Sequence, residues 1–349
     1  MKTFGIIGGG SIAGFHAQAI QAMEQGQLGA AYVRNPDKAQ AFAQAHGCKV
    51  YTSLEELLAD DQIDIVSITT PSGYHLEPCL EAARAGKHII CEKPLEVTPE
   101  RAEQMVKICQ EQGVMLSGIF NRRFNPAVEA LKKAADAGRF GTLTLCDAYV
   151  KWYRTQAYYD SGAWRGTWKL DGGGALMNQS IHTIDLLVYL AGEVKRLSAT
   201  TACLIHEGIE VEDTAVAILE FESGARGVIQ GATSCWSSTG HPAEVHLCGS
   251  HGSVFMSDES FRVWDFAEEL PEDAGIRESL MHSPGAGAGA NDPKAINFLG
   301  HQRNFEDMVE ALETGRDPMV SGEESIKSIR VIDAIYRSAR DNGTWVSVS

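Results

Sequence analysis

The chain has 349 residues, with 46 acidic and 30 basic side chains, and a formal net charge of −16 at pH 7. This length predicts two domains, and the acidic excess argues against nucleic acid or an anionic membrane as a partner. No apolar run approaches the roughly 18 residues that a membrane span needs, and eight cysteines without a C-x-x-C pair or a histidine at ligand spacing predict reduced thiols, a cytoplasmic protein and no metal site.

The first 120 residues alternate strand patterns with helical patterns. Strands are predicted at Thr3–Ile7, Leu28–Val33, Val50–Tyr51, Ile63–Ile68, His88–Cys91 and Val114–Ile119. Helices are predicted at Ile12–Glu24, Asp37–His46, Ser53–Ala59, His75–Ala85 and Pro99–Gln112. Six strands joined by helical crossovers predict a doubly wound parallel sheet of the Rossmann type, in a domain over residues 1–121.

The pattern changes after residue 121. Helices are predicted at Pro126–Ala137 and Ala175–Leu190, on either side of an irregular stretch rich in Trp and Tyr over residues 151–170. Strands follow at Leu197–His206, Thr214–Phe221, Ala225–Thr233, Glu244–Leu247, Ser253–Met256 and Phe261–Phe266. Consecutive strands without helices between them predict a mostly antiparallel sheet in a second α/β domain over residues 122–349.

Two helices are predicted to close the chain, near Phe298–Thr314 and Glu323–Asp341, and we expect them to pack back on the first domain. The segment before them, residues 283–292, is a low-complexity run of Gly and Ala that predicts a flexible loop.

A glycine-rich turn joins the first predicted strand to the first predicted helix. Gly8-Gly9-Gly10-Ser11-Ile12-Ala13 fits the pattern G-x-G-x-x-A. Gly8 permits a tight turn, Gly10 lets a pyrophosphate approach the backbone, and Ala13 allows the helix to pack closely. With Ser11 and Ile12 at a helix N-terminus, where phosphates bind, the turn predicts a dinucleotide site. The alternative is a glycine turn without a phosphate.

The rest of a dinucleotide would meet less distinctive residues. An acidic residue roughly 20 positions past the glycines normally binds the 2′-hydroxyl of NAD, but the second strand ends in Tyr32-Val33-Arg34-Asn35. Arg34 suits a 2′-phosphate or an adenine ring, or it is an ordinary solvated arginine, so NAD and NADP both remain open. Thr70 and Pro71 follow the fourth strand and His75 begins the next helix, and all three are predicted to line the nicotinamide side.

Lys93 lies in Glu92-Lys93-Pro94, directly after the predicted strand His88–Cys91. The tip of a strand beside a nucleotide crevice is where an open α/β sheet places its chemistry, although a solvated strand-end lysine is the ordinary alternative. Desolvation there would lower the pKa of Lys93 and make it a competent proton donor. Glu92 points the other way along the strand and is counted with Lys93 among the predicted cofactor contacts.

A second constellation begins at Gly172-Gly173-Gly174 and continues into a predicted helix. Asn178, His182 and Asp185 follow at spacings of four and three, which place them on one helix face. This pattern predicts a polar wall with His182 at its centre, and a core histidine satisfied by Asp185 is the alternative. Zinc is disfavoured because no second His or Cys lies at ligand spacing.

Arginine and aromatic residues near the predicted domain junction are typical of pockets for sugars and phosphates. Arg122 follows the sixth strand, whereas Tyr153, Trp164 and Arg165 belong to the irregular stretch. Guanidinium groups offer bidentate donors and aromatic rings offer flat faces. The predicted substrate contacts are Lys93, Arg122, Tyr153, Trp164, Arg165, Asn178 and His182. Ordinary packing between domains is the alternative for about half of the residues in the segments Asn121–Pro126 and Trp164–Lys169.

With these motifs, the sequence closely resembles the glucose–fructose oxidoreductase / inositol dehydrogenase / MocA family over essentially its full length. The resemblance rests on the glycine turn, on Glu92-Lys93-Pro94 and on the helix with His182 and Asp185. It implies a Rossmann domain and a second α/β domain with a large open sheet, which often forms the interface of a homodimer or homotetramer. It also implies hydride exchange between NAD(P) and a carbinol carbon of a sugar or cyclitol.

The resemblance also implies roles for the site residues. In the family, the lysine that matches Lys93 and the histidine that matches His182 flank the reacting hydroxyl. Many members carry an aspartate four residues before that histidine, where this chain has Asn178. The hypothesis is that His182, oriented by Asp185 or Asn178, takes the hydroxyl proton while Lys93 stabilises the developing alkoxide or carbonyl.

Two other functions remain open at this point. Some relatives of this fold are glycosidases that oxidise the sugar transiently, eliminate the aglycone and return the hydride, and Lys93 and His182 would serve that reaction equally. The yeast galactose repressor is a relative of a different class, a nucleotide-sensing regulator without chemistry. The presence of Lys93 and His182 argues against a regulator of that kind.

Overall fold

The computed structural model describes residues 1–281 and 298–348. The described chain forms two compact units. The first contains residues 1–121 and 298–326, and the second contains residues 122–281 and 327–348. The loop predicted over residues 283–292 lies outside the described residues.

The described elements are named in chain order. The strands are β1 (Lys2–Ile7), β2 (Gly26–Tyr32), β3 (Lys49–Tyr51), β4 (Ile65–Ile68), β5 (His88–Cys91), β6 (Leu116–Gly118), β7 (Leu143–Lys151), β8 (Val194–Ala202), β9 (Thr214–Phe221), β10 (Arg226–Ala232), β11 (Glu244–Gly249), β12 (Gly252–Ser257), β13 (Ser260–Phe266) and β14 (Val346–Ser347). The α-helices are α1 (Ser11–Gln21), α2 (Pro36–His46), α3 (Leu54–Leu58), α4 (Leu76–Arg84), α5 (Pro99–Gln112), α6 (Pro126–Asp136), α7 (Gln156–Asp160), α8 (Ile181–Ala191), α9 (Pro271–Leu280), α10 (Leu299–Thr314) and α11 (Gly322–Arg340). Short 3₁₀ turns occur at Ser72–Tyr74 and Asn121–Phe124, and Ala175–Ser180 is a π-helix.

The first unit is built on a six-stranded parallel sheet in the order β3-β2-β1-β4-β5-β6. This is the Rossmann order, and the prediction of a doubly wound parallel sheet is confirmed. The strand order reverses between β1 and β4, and in open α/β sheets ligands bind outside the carboxyl ends of the strands at such a reversal. The glycine turn after β1 and the loop after β4 both leave the sheet at that point.

Helix α10 completes the core of the first unit. Its Phe305, Met308 and Val309 recur at the three- and four-residue spacing of one helix face, and they pack in the same cluster as Phe4 and Ile6 of β1. The rings of Phe4 and Phe305 meet edge to face, with their centroids 5.4 Å apart. The Rossmann core is therefore assembled from two distant segments of the chain.

The second unit is built on an eight-stranded sheet in the order β13-β12-β11-β7-β10-β9-β8-β14. All its neighbours pair antiparallel except β7 and β10, which run parallel. The predicted large, mostly antiparallel sheet is therefore confirmed. Helix α8 packs against β7 and β11 on one side of this sheet.

Several elements of the second unit differ from the prediction. Strand β7, at the centre of the sheet, was not predicted because only its second half alternates buried and partly exposed residues. Helices α7 and α9 were missed because each is short and lacks an apolar stripe. Strand β8 ends at Ala202 rather than at His206, because the Asp213 carboxylate accepts the N–H groups of residues 204–206 and turns the chain.

The other side of the second sheet carries apolar side chains. Leu145 of β7 and Val216 and Ile218 of β9 are exposed large hydrophobic residues, and their neighbours along each strand alternate between buried and accessible. In residues 1–281 and 298–348, no helix is long and apolar enough to cross a bilayer.

Candidate active site

The glycine turn after β1 has the geometry of a phosphate cradle. Gly8 has φ of +125°, and a Cβ there would lie 2.5 Å from Thr69 Oγ1. Gly10 is the N-cap of α1, and a Cβ there would meet nothing within 4 Å, so its backbone faces open space. The first turn of α1 has no acidic residue and no side-chain cap. The N–H groups of this turn therefore suit a dinucleotide pyrophosphate. Ser11 and Ile12 begin the helix, and Ala13 is buried behind them.

No acidic residue lies at the end of β2, where the ribose of a bound dinucleotide would be expected. Asn35 caps α2 by accepting the Lys38 N–H at 3.0 Å, and Arg34 beside it is exposed. Within the described ranges, Arg34 forms no salt bridge with an acidic residue. Its guanidinium is placed to meet solvent or a ligand, and its contact with a cofactor stays a prediction.

His75 joins the loop after β4 to the segment after β5. The ring is buried, with Nε2 2.8 Å from the Thr70 carbonyl oxygen and Nδ1 3.0 Å from the Pro94 carbonyl oxygen. Thr70 in turn donates its hydroxyl to the Tyr74 carbonyl at 2.9 Å, which shapes the turn after Pro71. Because both ring nitrogens face main-chain oxygens, the ring fixes two loops, and direct contact of His75 with a cofactor stays a prediction.

Lys93 leaves the carboxyl end of β5 and is partly exposed. Its main-chain N–H donates to Oε2 of Glu92 at 2.9 Å, and the Lys93–Pro94 peptide is cis. The other carboxylate oxygen of Glu92 lies 2.9 Å from His16 Nε2 and 3.6 Å from His301 Nε2. The ligand-type atoms of this buried group lie within 4.8 Å of one another, close enough to share a cation. Sequence reasoning missed His16 and His301 because the three residues come from distant segments.

The triple glycine before the site helix is required by close packing. A Cβ on Gly174 would lie 1.7 Å from the Glu212 carbonyl oxygen, and one on Gly173 would lie 2.1 Å from the Tyr336 hydroxyl. The Glu212 carboxylate accepts the Gly174 N–H at 3.0 Å, the Leu176 N–H at 2.9 Å and the Tyr336 hydroxyl at 3.0 Å. Burial raises the pKa of Glu212 to about 7. A carboxyl group outside every sequence motif thus caps the helix that carries the site.

The predicted α-helix from Ala175 is wrong in its first turns, which form the π-helix Ala175–Ser180 before α8 begins at Ile181. Asn178 lies in the π segment, and its Nδ2 donates to Asp171 Oδ1 at 2.7 Å. His182, in the first turn of α8, is partly exposed. Asp185 is buried and accepts two hydrogen bonds from Arg123, at 2.9 and 2.7 Å. Glu212 holds the N-terminus of this π-helix, which no pattern in the sequence predicts.

Aromatic and guanidinium groups surround Tyr158, which reaches the π-helix. The Tyr158 hydroxyl lies 3.4 Å from Asn178 Oδ1 and accepts from Gln179 Nε2 at 2.9 Å. Arg165 donates to the same hydroxyl at 2.6 Å, and its guanidinium lies 4.2 Å from the Tyr158 ring centroid. The guanidinium of the buried Arg154 lies 5.5 Å from the same ring centroid. Tyr158 and Arg154 were missed because residues 151–170 were interpreted as irregular, and Gln179 was missed although a helix was predicted there.

The remaining predicted substrate residues lie nearby in the second unit. Trp164 stacks with Arg165 at 4.6 Å, and Arg122 lies 5.8 Å from the Trp152 ring. Burial lowers the pKa of Arg122. Tyr153 contributes its carbonyl oxygen, which accepts from Arg154 at 3.1 Å. Buried Trp152 Nε1 and Gln179 Oε1 have no hydrogen-bond partner in the part of the chain that the structure describes, as expected for groups that meet a polar ligand.

Two family comparisons decide the class of this protein. Residues 2–120 match the oxidoreductase family with an NAD-binding Rossmann fold, and residues 128–255 match the GFO/IDH/MocA C-terminal domain. The chain belongs to the GFO/IDH/MocA family of oxidoreductases. It is 29% identical to inositol 2-dehydrogenase of Rhizobium meliloti over 97% of each chain. It is 27% identical to levoglucosan dehydrogenase of Pseudarthrobacter phenanthrenivorans, over 99% of this chain and 97% of that one.

A solved relative extends the comparison to structure. The WlbA dehydrogenase from Bordetella pertussis, in complex with NADH and UDP-GlcNAcA, is 34% identical to this chain, covers 99% of each chain and superposes with a TM-score of 0.87. Membership of the family and these relatives make the chain an NAD(P)-dependent oxidoreductase of the sugar dehydrogenase type. The predicted family, enzyme class and nicotinamide cofactor are confirmed, and the choice between NAD and NADP is left to experiment.

Proposed function

We propose that this enzyme oxidises a secondary hydroxyl of an acidic sugar that is linked to a nucleoside diphosphate, of the UDP-GlcNAcA class. The observation that carries the proposal is the position of Arg165. Its guanidinium packs on Tyr158, which contacts Asn178 and Gln179 of the π-helix, and it forms no salt bridge with a carboxylate of residues 1–281 or 298–348. A guanidinium held in this way is suited to a carboxylate or phosphate of the substrate.

Arg154 strengthens the same argument. Burial lowers the pKa of Arg154, and the nearby positive charge of Arg165 lowers it further. Both guanidinium groups lie beside the Tyr158 ring, Arg165 at 4.2 Å and Arg154 at 5.5 Å from its centroid, and such a position suits an anionic ligand. The WlbA dehydrogenase, solved with UDP-GlcNAcA, supports a sugar nucleotide over a free cyclitol as the substrate class.

The proposed chemistry divides between two residues. His182 takes the proton of the reacting hydroxyl and returns it in the reverse direction, and Lys93 stabilises the oxygen as it becomes a carbonyl. Bound NAD(P) supplies the hydride acceptor. Asn178 orients the substrate or His182 while Asp171 provides the negative charge beside it. Asp185 fixes α8 beneath His182 through its bonds with Arg123.

The proposed contacts follow the motifs of the sequence. The cofactor contacts are Gly8, Gly10, Ser11, Ile12, Ala13, Arg34, Thr70, Pro71, His75, Glu92 and Lys93. The substrate contacts are Lys93, Arg122, Tyr153, Trp164, Arg165, Asn178 and His182, to which we add Arg154, Tyr158 and Gln179. The open Gly10 cradle and the uncapped first turn of α1 support the cofactor assignment.

The test compares a charged substrate with its neutral counterpart. Purified protein is incubated with NAD or NADP and with UDP-GlcNAcA, UDP-GlcNAc, myo-inositol or levoglucosan, and the product is detected by mass spectrometry as loss of two hydrogens. We expect UDP-GlcNAcA to be preferred over UDP-GlcNAc by about 100-fold in kcat/KM, since the neutral sugar offers the Arg165 guanidinium no carboxylate. Arg165→Met should remove most of this preference. Equal turnover of the two sugar nucleotides would contradict the proposal.

We also propose that the enzyme assembles as a homodimer or homotetramer through the outer side of the second sheet. Exposed Leu145, Val216 and Ile218 on neighbouring parts of that sheet support this assignment, since large exposed apolar patches mark interaction surfaces. Ile218→Glu should shift the mass measured by light scattering to that of the monomer, whereas Val33→Ile, a conservative change in the first unit, should leave it unchanged. A wild-type protein that is monomeric at all concentrations would exclude the assembly.

A further inference from the structure

The carboxylate of Glu92 supports the main chain of Lys93 from below. It is buried, and its Oε2 accepts the Lys93 N–H at 2.9 Å. Its Oε1 lies 2.9 Å from His16 Nε2 and 3.6 Å from His301 Nε2. One carboxylate therefore links the main chain that carries the lysine to two imidazole rings.

The His16 ring is held on every side. It is fully buried on α1, with Nδ1 2.7 Å from the Ser67 hydroxyl on β4. Its centroid lies 5.2 Å from the Phe305 ring and 5.3 Å from the His301 ring, both on α10. A ring that is fixed by three elements of the first unit transmits their position to Glu92.

The group is also electrostatically consistent. Burial alone would raise the pKa of Glu92, but the hydrogen bond from His16 and the neighbouring His301 ring hold it well below its usual range, so Glu92 is a carboxylate anion. Burial lowers the pKa of His16. Loss of an imidazole donor would leave buried charge with fewer partners, and the carboxylate and the main chain bonded to it would move to recover them.

We propose that His16 and His301 are positioning residues for Lys93. By holding the Glu92 carboxylate they fix the main chain at Lys93, and because His16 lies on α1 they join the lysine to the helix whose first turn is the proposed phosphate site. His75 holds the other side of the same segment through the Pro94 carbonyl. The inference rests on the proposed role of Lys93 in catalysis.

The variants separate hydrogen bonding from packing. His16→Phe keeps an aromatic ring and removes both ring nitrogens, whereas His16→Gln restores one donor towards Oε1. Glu92→Gln removes the charge and His301→Phe removes the second imidazole. The matched control is His88→Phe, since His88 lies on the same strand, β5, and accepts the Met115 N–H at 3.0 Å at the opposite end.

The first readout needs no substrate. The protein is acetylated with a succinimidyl ester. The acetylation rate of Lys93 is measured by peptide mass spectrometry and compared with that of Lys107 in the same sample. We expect the rate at Lys93 to change by at least about three-fold in His16→Phe and Glu92→Gln, because the segment opens locally. The rate should return towards the wild-type value in His16→Gln and be unaffected in His88→Phe.

The second readout is turnover. We expect His16→Phe to lower kcat by about 100-fold, the loss typical of a displaced catalytic group, while the KM for the cofactor stays within about three-fold. Should His16→Phe not fold, Glu92→Gln and His301→Phe provide the same comparison.

Three results would overturn the proposal. The first is wild-type acetylation and kcat in folded His16→Phe, and the second is a His16→Gln protein no better than His16→Phe. The third is a stoichiometric metal in the purified protein whose removal reproduces the His16→Phe effects, since the group would then be a cation site. Altered acetylation in a protein that oxidises no sugar would support the positioning role and refute the proposed function.

Discussion

Arg123 donates two hydrogen bonds to the Asp185 carboxylate, from Nε at 2.9 Å and from Nη2 at 2.7 Å. Its guanidinium also lies 4.2 Å from the centroid of the Tyr189 ring. Only 1% and 2% of the two side chains are exposed. The pair anchors α8 from the segment that opens the second unit. Asp185 was predicted to orient His182. Both of its carboxylate oxygens bind Arg123, so its contribution in this structure is to hold α8 in place.

Removing one member of this pair should destabilise the second unit strongly. Arg123→Met leaves a buried carboxylate without its cation, which costs about 3–5 kcal/mol. Urea unfolding followed by circular dichroism measures the loss. The double variant Arg123→Met/Asp185→Leu should be more stable than Arg123→Met, and a double variant that loses the sum of the single losses would contradict this account.

Asp171 lies beside Asn178 and is bonded to its side chain. Because Asn178 Nδ2 donates to Asp171 Oδ1 at 2.7 Å, Asn178→Asp would bring two carboxylates together. We expect the single variant to lose at least about 10-fold in kcat at pH 8, with a smaller loss at pH 6, where the pair shares a proton. The exchange Asn178→Asp/Asp171→Asn should recover most of the activity. A single variant with a wild-type pH profile would be inconsistent with this interaction.

Glu212 predicts a pH dependence of stability. Its folded-state pKa of about 7 lies above the ordinary value of 4.5, so the folded state holds the proton more tightly than the unfolded state does. Stability is therefore greatest below about pH 4.5 as far as this group is concerned, falls as the pH rises to about 7, and is level above that. The difference corresponds to roughly 3 kcal/mol.

Glu212→Gln should abolish this contribution. Free energies of unfolding measured at pH 5, 6, 7 and 8 should fall less steeply with pH in the variant than in the wild type. Glu222→Gln, at an exposed position of the same unit, is the control and should keep the wild-type slope. Parallel slopes for wild type and Glu212→Gln would place the titrating group elsewhere.

Arg34 provides the test of cofactor choice. Its exposed guanidinium follows β2, where a carboxylate would otherwise select NAD. Arg34→Asp should lower kcat/KM for NADP by about 10- to 100-fold, the value of one charge-assisted phosphate contact, and should leave NAD within a few-fold. Mass spectrometry of any nucleotide that co-purifies with the wild type gives an independent answer. An unchanged ratio of NADP to NAD would remove Arg34 from the cofactor site.

Local signals allowed much of the first unit to be predicted. The bounds of β5 and α5 were predicted to the residue, because Thr98 and Pro99 begin α5 and Gly113, in the left-handed region, ends it. The π-helix was not predictable, since its sequence carries an ordinary helical pattern and the Glu212 side chain that caps it lies 36 to 38 residues further along the chain. The group of His16, Glu92 and His301 was equally hidden, because no spacing in the chain relates an α1 residue to one on α10.

The return of α10 to the first sheet has a consequence for biosynthesis. Phe305, Met308 and Val309 leave the ribosome only after the strands β7–β13 of the second unit have emerged, so the core around residues 1–121 stays incomplete until then. The usual order, in which the domain made first folds first, is inverted here. A gene fragment that stops at Asn121 would yield a sheet with exposed apolar residues, and any exchange of nucleotide-binding modules between relatives must transplant both segments together.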